Sequence, residues 1–360
     1  MMRLSGVKQT VTLQQRFRGI LLGTAVGDAL GLPAEGISRR RARRMFPGRP
    51  RHRFLFANGM ISDDTEHTLF VAQSLLAHPT SSTDFARRLA WCLRWWLLSL
   101  PAGVGFGTLR SILRLWVGAH PSRSGVRSAG NGPAMRAAPL GGFFPDSALK
   151  RNDFVDASTR ITHTDPRAIV GARAVAAVAA WAVREELAGR PTPEALTETL
   201  RSVGDGEPEW EDLLGVLAES AGSEESVQQF ADRLGLQRGV SGYVYHTVGV
   251  ALYAWFRHFG DYERTIDAVL DCGGDADTTG AIAGALAGAV VGEGGIPEDW
   301  VAGMRDWPRT AGLFRRVADA LVAEERARPI PYFWPGLVLR NALFLVVVLL
   351  HGLRRLLPPY

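Results

Sequence analysis

Cysteine, lysine and strand-forming runs are what this chain has least of. Cys92 and Cys272 are the only cysteines in 360 residues, too few and too isolated for a disulfide framework or a cysteine metal site. A reducing, cytoplasmic setting is the resulting expectation. Lysine is confined to Lys8 and Lys150, so the 41 basic side chains are nearly all arginine. Against 36 acidic side chains they leave a net charge of +5, too modest to mark a nucleic-acid protein. Long alternating strand patterns are nearly absent. The 40 glycines and 20 prolines show no collagen period and read as turns and close helix packing. The opening MMRLSGVKQTVTLQQRFRG lacks the continuous apolar core of a secretory signal.

Apolar residues make up 46% of the chain and charged ones 21%, which excludes wholesale disorder and supports a sizeable core. Helical spacing recurs over 11–31, 63–77, 84–100, 108–117, 166–187, 192–203, 208–219, 225–233, 243–258, 261–271, 278–292 and 310–324. The expected fold is therefore all-α, a helical globular domain within 1–330 followed by an apolar extension over 331–360. Residues 34–61 read as a connection. Their RRRAR run from Arg39 is first a solvated loop, with phosphate, headgroup and protein contacts as alternatives. Residues 101–145 read as a long shaped region between helices, where a ligand loop could reside.

The apolar stretch at 332–353 is interrupted by Pro335, Arg340 and Asn341. Its unbroken part, 342–350, would extend about 14 Å as a helix against a hydrocarbon core of about 30 Å. Three readings stay open: a helix packed on the protein or in a dimer contact, a membrane-surface segment, and a tilted span with Arg354 and Arg355 as its stop. A monomer is expected, with a dimer as the alternative.

Two acidic motifs carry the chemistry. In ISDDTEHTL from Ile61, Asp63 and Asp64 adjoin at a helix start, where a divalent cation would screen their repulsion and Ser62 adds a neutral oxygen. In CGGDADTTG from Cys272, Asp275, Asp277 and Thr278 stand at a glycine-rich helix entrance, a pattern that turns several hard oxygens towards one cation. Two independent helix caps are the plainer explanation. If folding joins the motifs, six oxygen-bearing side chains can share two metals, Mg²⁺ or Mn²⁺ in preference to structural zinc. Glu35, in GDALGLPAEG, is a carboxylate that could orient or deprotonate water. Asn131 in GNGPAMR and His163 in THTDP could contact a polar ring or phosphate, or serve as a turn residue and a structural hydrogen-bonder respectively.

The ordered set GTAVGDALGLPAEG, SDDTEHTL, GVGFGT, GNGPAMR, THTDP and GGDADTTG, spread over about 19–292, resembles the ADP-ribosylglycohydrolase family, including its dinitrogenase reductase-activating branch. The resemblance implies a compact orthogonal multi-helical enzyme with a binuclear magnesium or manganese centre and cleavage of the glycosidic bond between ADP-ribose and an acceptor. Carried onto this chain, it makes Ser62, Asp63, Asp64, Asp275, Asp277 and Thr278 metal ligands. Glu35, Asp63, Asp64 and Asp277 become catalytic, and Gly130, Asn131, Gly132 and His163 hold the diphosphate-ribose. Phe106 or Phe143 could stack on adenine. The implied substrate is an ADP-ribosylated protein, with arginine as the acceptor, or a small ADP-ribose conjugate; a nucleic-acid adduct is less favoured. A catalytically weak ADP-ribose-binding regulatory protein is the alternative from another functional class. Ser62 stands where relatives often carry threonine, and Pro133 where a small residue is usual.

Overall fold

Two glycine-bearing helices, Leu13–Gly31 and Ala276–Val291, set the frame of the molecule. They run antiparallel in backbone contact: a Cβ on Gly19 would stand 2.0 Å from the Gly288 carbonyl oxygen, and one on Gly27 2.0 Å from that of Gly280. Gly31 meets the Ala276 carbonyl in the same way, at 2.3 Å. Only residues without a side chain permit this approach. Its consequence is positional, because the end of the first helix, with Asp28, lies beside the entrance of the second, with Asp277.

The computed structural model describes residues 11–184, 189–204, 206–325 and 327–358. The first ten residues of the opening segment, and the end of the 166–187 run, lie outside them. Among the described residues there are eighteen α-helices and no strand, only isolated bridges such as Ile37 with Gly274. The fold is all-α, as expected. Phe17, Leu69, Trp96, Val175, Leu214 and Trp255 belong to one continuous buried cluster around the central pair. Each large apolar side chain so buried contributes about 1.5–3 kcal/mol.

Several sequence readings need correction. The RRRAR run is not a loop; it begins a helix, Arg39–Met45, with Ala42 turned inward. The helix Ala148–Arg160 was not expected, and the region 101–145 holds, besides Phe106–Trp116, which matches the expected 108–117 helix, the short helices Gly132–Met135 and Ala138–Phe143. The apolar extension forms the helix Gly336–Arg354, which packs on the protein along one stripe that includes Leu337, Arg340, Asn341, Phe344 and Val347. Arg340 is deeply buried there: its Nε donates to Asp306 Oδ1 at 3.1 Å and its Nη2 to the carbonyl of Ile61. Asn341 Nδ2 donates to the Ser99 carbonyl at 2.8 Å. The interruptions that broke the apolar run are its attachment points.

Candidate active site

The helix Asp63–Ala77 starts where its sequence says it should. Ser62 is the N-cap, and its hydroxyl accepts from the amide of Asp64 at 3.2 Å. Below the cap lies Asp28, fully buried, whose carboxylate accepts from the amides of Ser62 and Thr65 and from the Thr65 hydroxyl, the last at 2.5 Å. Burial raises Asp28 to about 7, against the pull of these hydrogen bonds. The structure makes it the clamp that fixes the first acidic motif to the central helix pair.

The two motifs do meet. Thr278 Oγ1 lies 3.3 Å from Asp64 Oδ2, which also accepts from Ser62 Oγ at 3.0 Å. Asp275 occupies the N-cap position of Ala276–Val291 without capping it. Its carboxylate turns to Asn131 instead, accepting from Nδ2 at 2.6 Å, while the same amide contacts Thr247 Oγ1 at 3.0 Å. Independent capping therefore fails as an account of the second motif.

The electrostatics of the cluster are repulsive. Burial, then Asp28, Asp63 and Asp275, hold Asp64 well above the usual carboxylate range. Burial, then Glu35, Asp64, Asp275 and Asp28, do the same to Asp277. Burial and neighbouring carboxylates also push Asp63 up. One oxygen on each of two carboxylates, Asp64 Oδ1 and Asp277 Oδ1, is buried with no hydrogen-bond partner among the described residues. Buried polar atoms are ordinarily satisfied, so such a pair is a vacancy for a donor or a cation. Among the described residues no three His, Cys, Asp or Glu groups close into a ready-made metal cage. The donor set fits a hard divalent ion through its chemistry, carboxylate and hydroxyl oxygens without sulfur.

Glu35 sits above the cluster on the loop after the first helix, with its side chain open to solvent. Partial enclosure and the nearby charge of Asp275 raise its affinity for a proton, and Arg355 opposes this. Glu35 and Asp275 line a cleft of about 590 Å³ with residues 36–38, 238–242 and 274. The backbone of 130–131 reaches the same place: Gly130 bridges to Tyr243, and the Asn131 amide donates to the Gly242 carbonyl at 3.2 Å.

His163 lies close behind Gly107, Gly130 and Gly132. Its ring is buried, with Nδ1 2.9 Å from Thr162 Oγ1, under the glycines of two loops. A Cβ on Gly107, Gly130 or Gly132 would come within 3.0–3.3 Å of the ring. Burial and the charge of Arg136 lower its pKa to about 3, so the ring is neutral. Asp165, two residues on, caps Pro166–Ala182 and pairs with Arg167. Arg136 was passed over in the GNGPAMR motif; it is fully buried and grips Ser158 and Thr162 below the histidine. Phe143 packs against Phe144, whereas Phe106 is 82% exposed and free to meet a ligand.

These features define an all-α protein whose acidic centre opens on a glycine-walled ligand cleft. The chain belongs to the ADP-ribosylglycohydrolase family, whose model matches residues 9–330. The family supports a hydrolase acting on ADP-ribosyl links. The ADP-ribosyl-[dinitrogen reductase] glycohydrolase of Rhodospirillum rubrum is 28% identical, over 87% of this chain and 97% of its own length. The ADP-ribosylarginine hydrolase Tri1 of Pseudomonas putida is also 28% identical, covering 81% and 76% respectively. A solved structure described as an ADP-ribosylglycohydrolase-related protein complex superposes with a TM-score of 0.60 at 30% identity, over 86% of this chain and 97% of that one.

Proposed function

We propose that this protein is a divalent-cation-dependent hydrolase that removes ADP-ribose from an arginine side chain of a modified protein. The single observation that carries the metal reading is the pair of partnerless buried oxygens on Asp64 and Asp277, from two motifs that meet in the fold. The relatives named for dinitrogen reductase and for ADP-ribosylarginine support the substrate class.

Ser62, Asp63, Asp64, Asp275, Asp277 and Thr278 would hold Mg²⁺ or Mn²⁺, with two ions the proposed number. Bound there, the cation screens the carboxylates from one another and acts as a Lewis acid towards sugar hydroxyls and water. The protein's own residues do the rest. Asn131, fixed by Asp275 and Thr247, and the adjoining backbone of Gly130 and Gly132 orient the diphosphate-ribose. Neutral His163 holds those glycine loops in register. Glu35, the carboxylate that faces the open cleft, takes the proton from the attacking water. The water oxygen bonds to the anomeric carbon, and the bond from that carbon to the guanidine nitrogen breaks with its electron pair on nitrogen. The proton held by Glu35 then passes to the departing guanidine.

The test is hydrolysis by the purified protein with Mg²⁺ or Mn²⁺, offered ADP-ribosyl-arginine and ADP-ribosyl-serine peptides, with products read by mass spectrometry. Release of ADP-ribose from the arginine peptide is expected. Release only from serine overturns the acceptor assignment, and binding without turnover on either peptide overturns the enzyme reading in favour of a regulatory ADP-ribose binder.

A further inference from the structure

The helix Gly336–Arg354 lies beyond the family match, and its outer surface has no part in the proposed reaction. That surface is apolar along its whole length. Leu339 is 72% exposed, and Leu343, Val346, Leu350 and Leu353 continue the stripe at helical spacing. At its start the stripe joins an aromatic patch: Trp334 packs edge-on against Trp95 at 5.8 Å, and Trp95 against Trp116 at 6.3 Å. Through Ser99, bonded to Asn341, it also adjoins exposed Leu98 and Leu100. Contiguous apolar surface of this extent on a folded protein marks an interaction site.

The charges around the patch identify the occupant. Residues 36–62, 85–145 and 327–360 contain no aspartate or glutamate at all, while the first two segments carry eight arginines each. The fold gathers these three stretches round the helix. Phe344 meets Phe54 at 6.4 Å, His351 stacks with Phe46 at 6.1 Å, and Arg51, Arg53 and Arg354 line one cleft with His351. Arg39, Arg43 and Arg49 pair with carboxylates from other parts of the chain. The resulting face has an apolar centre, tryptophans at one side and, at the other, Arg51, Arg53 and Arg354, which form no ion pair among the described residues.

We propose that this face docks on an anionic lipid bilayer, with the helix lying in the headgroup plane and the arginines on lipid phosphates and carboxylates. Leucine stripe, interfacial tryptophan and arginine rim are the three elements such docking uses. The length and hydropathy of the helix would also permit a span. Crossing would strip Arg340 from Asp306 and Asn341 from Ser99 and carry both into hydrocarbon, a far larger cost than lying flat. A symmetric contact with a second copy would set one arginine rim against another.

The experiment uses the full-length protein and sedimentation with vesicles, either pure phosphatidylcholine or with about 30 mol% phosphatidylserine. Binding to the anionic vesicles, weakened by salt, is expected. The double variant Leu350→Glu/Leu353→Glu should lose at least about tenfold in vesicle affinity with an unchanged thermal melt and unchanged activity on soluble peptides. Absence of the wild-type protein from the pellet overturns the proposal, as does full binding by the double variant. A dimer in light scattering that the double variant abolishes also overturns it, since a second copy would then cover the face. Resistance to alkaline extraction from the vesicles would show a span and overturn the interfacial geometry. The proposal does not rest on the reaction assigned above, so loss of vesicle binding and loss of hydrolysis are separate results.

Discussion

One helix, Asp63–Ala77, carries two kinds of buried carboxylate a single turn apart. Asp63 and Asp64 face other acids, and among the described residues no arginine forms an ion pair with them. Glu66 accepts from the guanidinium of Arg309 and from the indole of Trp96, with Arg340 3.7 Å away. Asp306, beside it, is held by Arg340 and receives the amide of Ile61 at 3.1 Å. The fold thus pairs its structural acids with its own cations, and among the described residues the clustered aspartates Asp63, Asp64 and Asp277 form no ion pair. Burying a charge without a partner costs several kcal/mol, so the difference between the two regions shows where an external cation is called for.

The largest expected effect lies on the neutralised side. Arg340→Ala strands Asp306 in the interior and should cost about 3–5 kcal/mol of stability in chemical denaturation. A companion Asp306→Leu change should recover much of that loss, because the pair is then removed together. If Arg340→Ala unfolds at the wild-type denaturant concentration, the structural half of the comparison fails, and the extension is an accessory after all.

On the unneutralised side the sign reverses. Asp277→Asn removes one charge from a repelling cluster, so the metal-free protein should melt no lower than wild type. Turnover with Mg²⁺ should nevertheless fall about 100-fold or more. Wild type should gain melting temperature as Mg²⁺ is added and the variant should not. Equal Mg²⁺ stabilisation in both proteins would place the ion elsewhere.

Asp28 belongs to both regions, buried like the structural acids but satisfied by neutral donors. Asp28→Asn keeps the shape yet turns an NH₂ towards amides that need an acceptor. A loss of about 1–3 kcal/mol in thermal or chemical unfolding is expected. An unchanged melt would mean that the cap at Ser62 stands without its clamp.

Much of this was legible in the chain, and the rest was hidden for identifiable reasons. Each acidic motif announced itself locally, because capping chemistry and glycine spacing act within a few residues. The small residues of the first helix signalled close packing, but nothing local named Gly280, Gly284 and Gly288 as the surfaces they meet. Asp306, Arg309 and Arg340 form their network with residues more than two hundred positions away, beyond any periodicity. Ala148–Arg160 escaped because only Phe154 and Val155 interrupt a largely polar face, and Arg39–Met45 because it buries a single alanine. His163 was found by its motif, but sequence does not tell whether an imidazole faces a ligand or the glycines that surround one.

That last distinction is open to a small and specific test. Gly130 has no positive φ to protect, so its cost on substitution is one of space alone. A Cβ there would sit 3.0 Å from His163 Nε2 and 3.4 Å from Ser128 Oγ. The imidazole, tied to Thr162 on its other side, can yield only by a few tenths of an ångström. Gly130→Ala should therefore shift the loop that carries Asn131 while leaving the acidic cluster in place. KM for an ADP-ribosyl peptide should rise about threefold with kcat nearly unchanged, and stability should drop by about 0.5–1 kcal/mol. A fall in kcat with KM unchanged would mean that His163 acts on the reacting centre directly, and the ring would then have to be counted with Glu35 instead of with the glycines it supports.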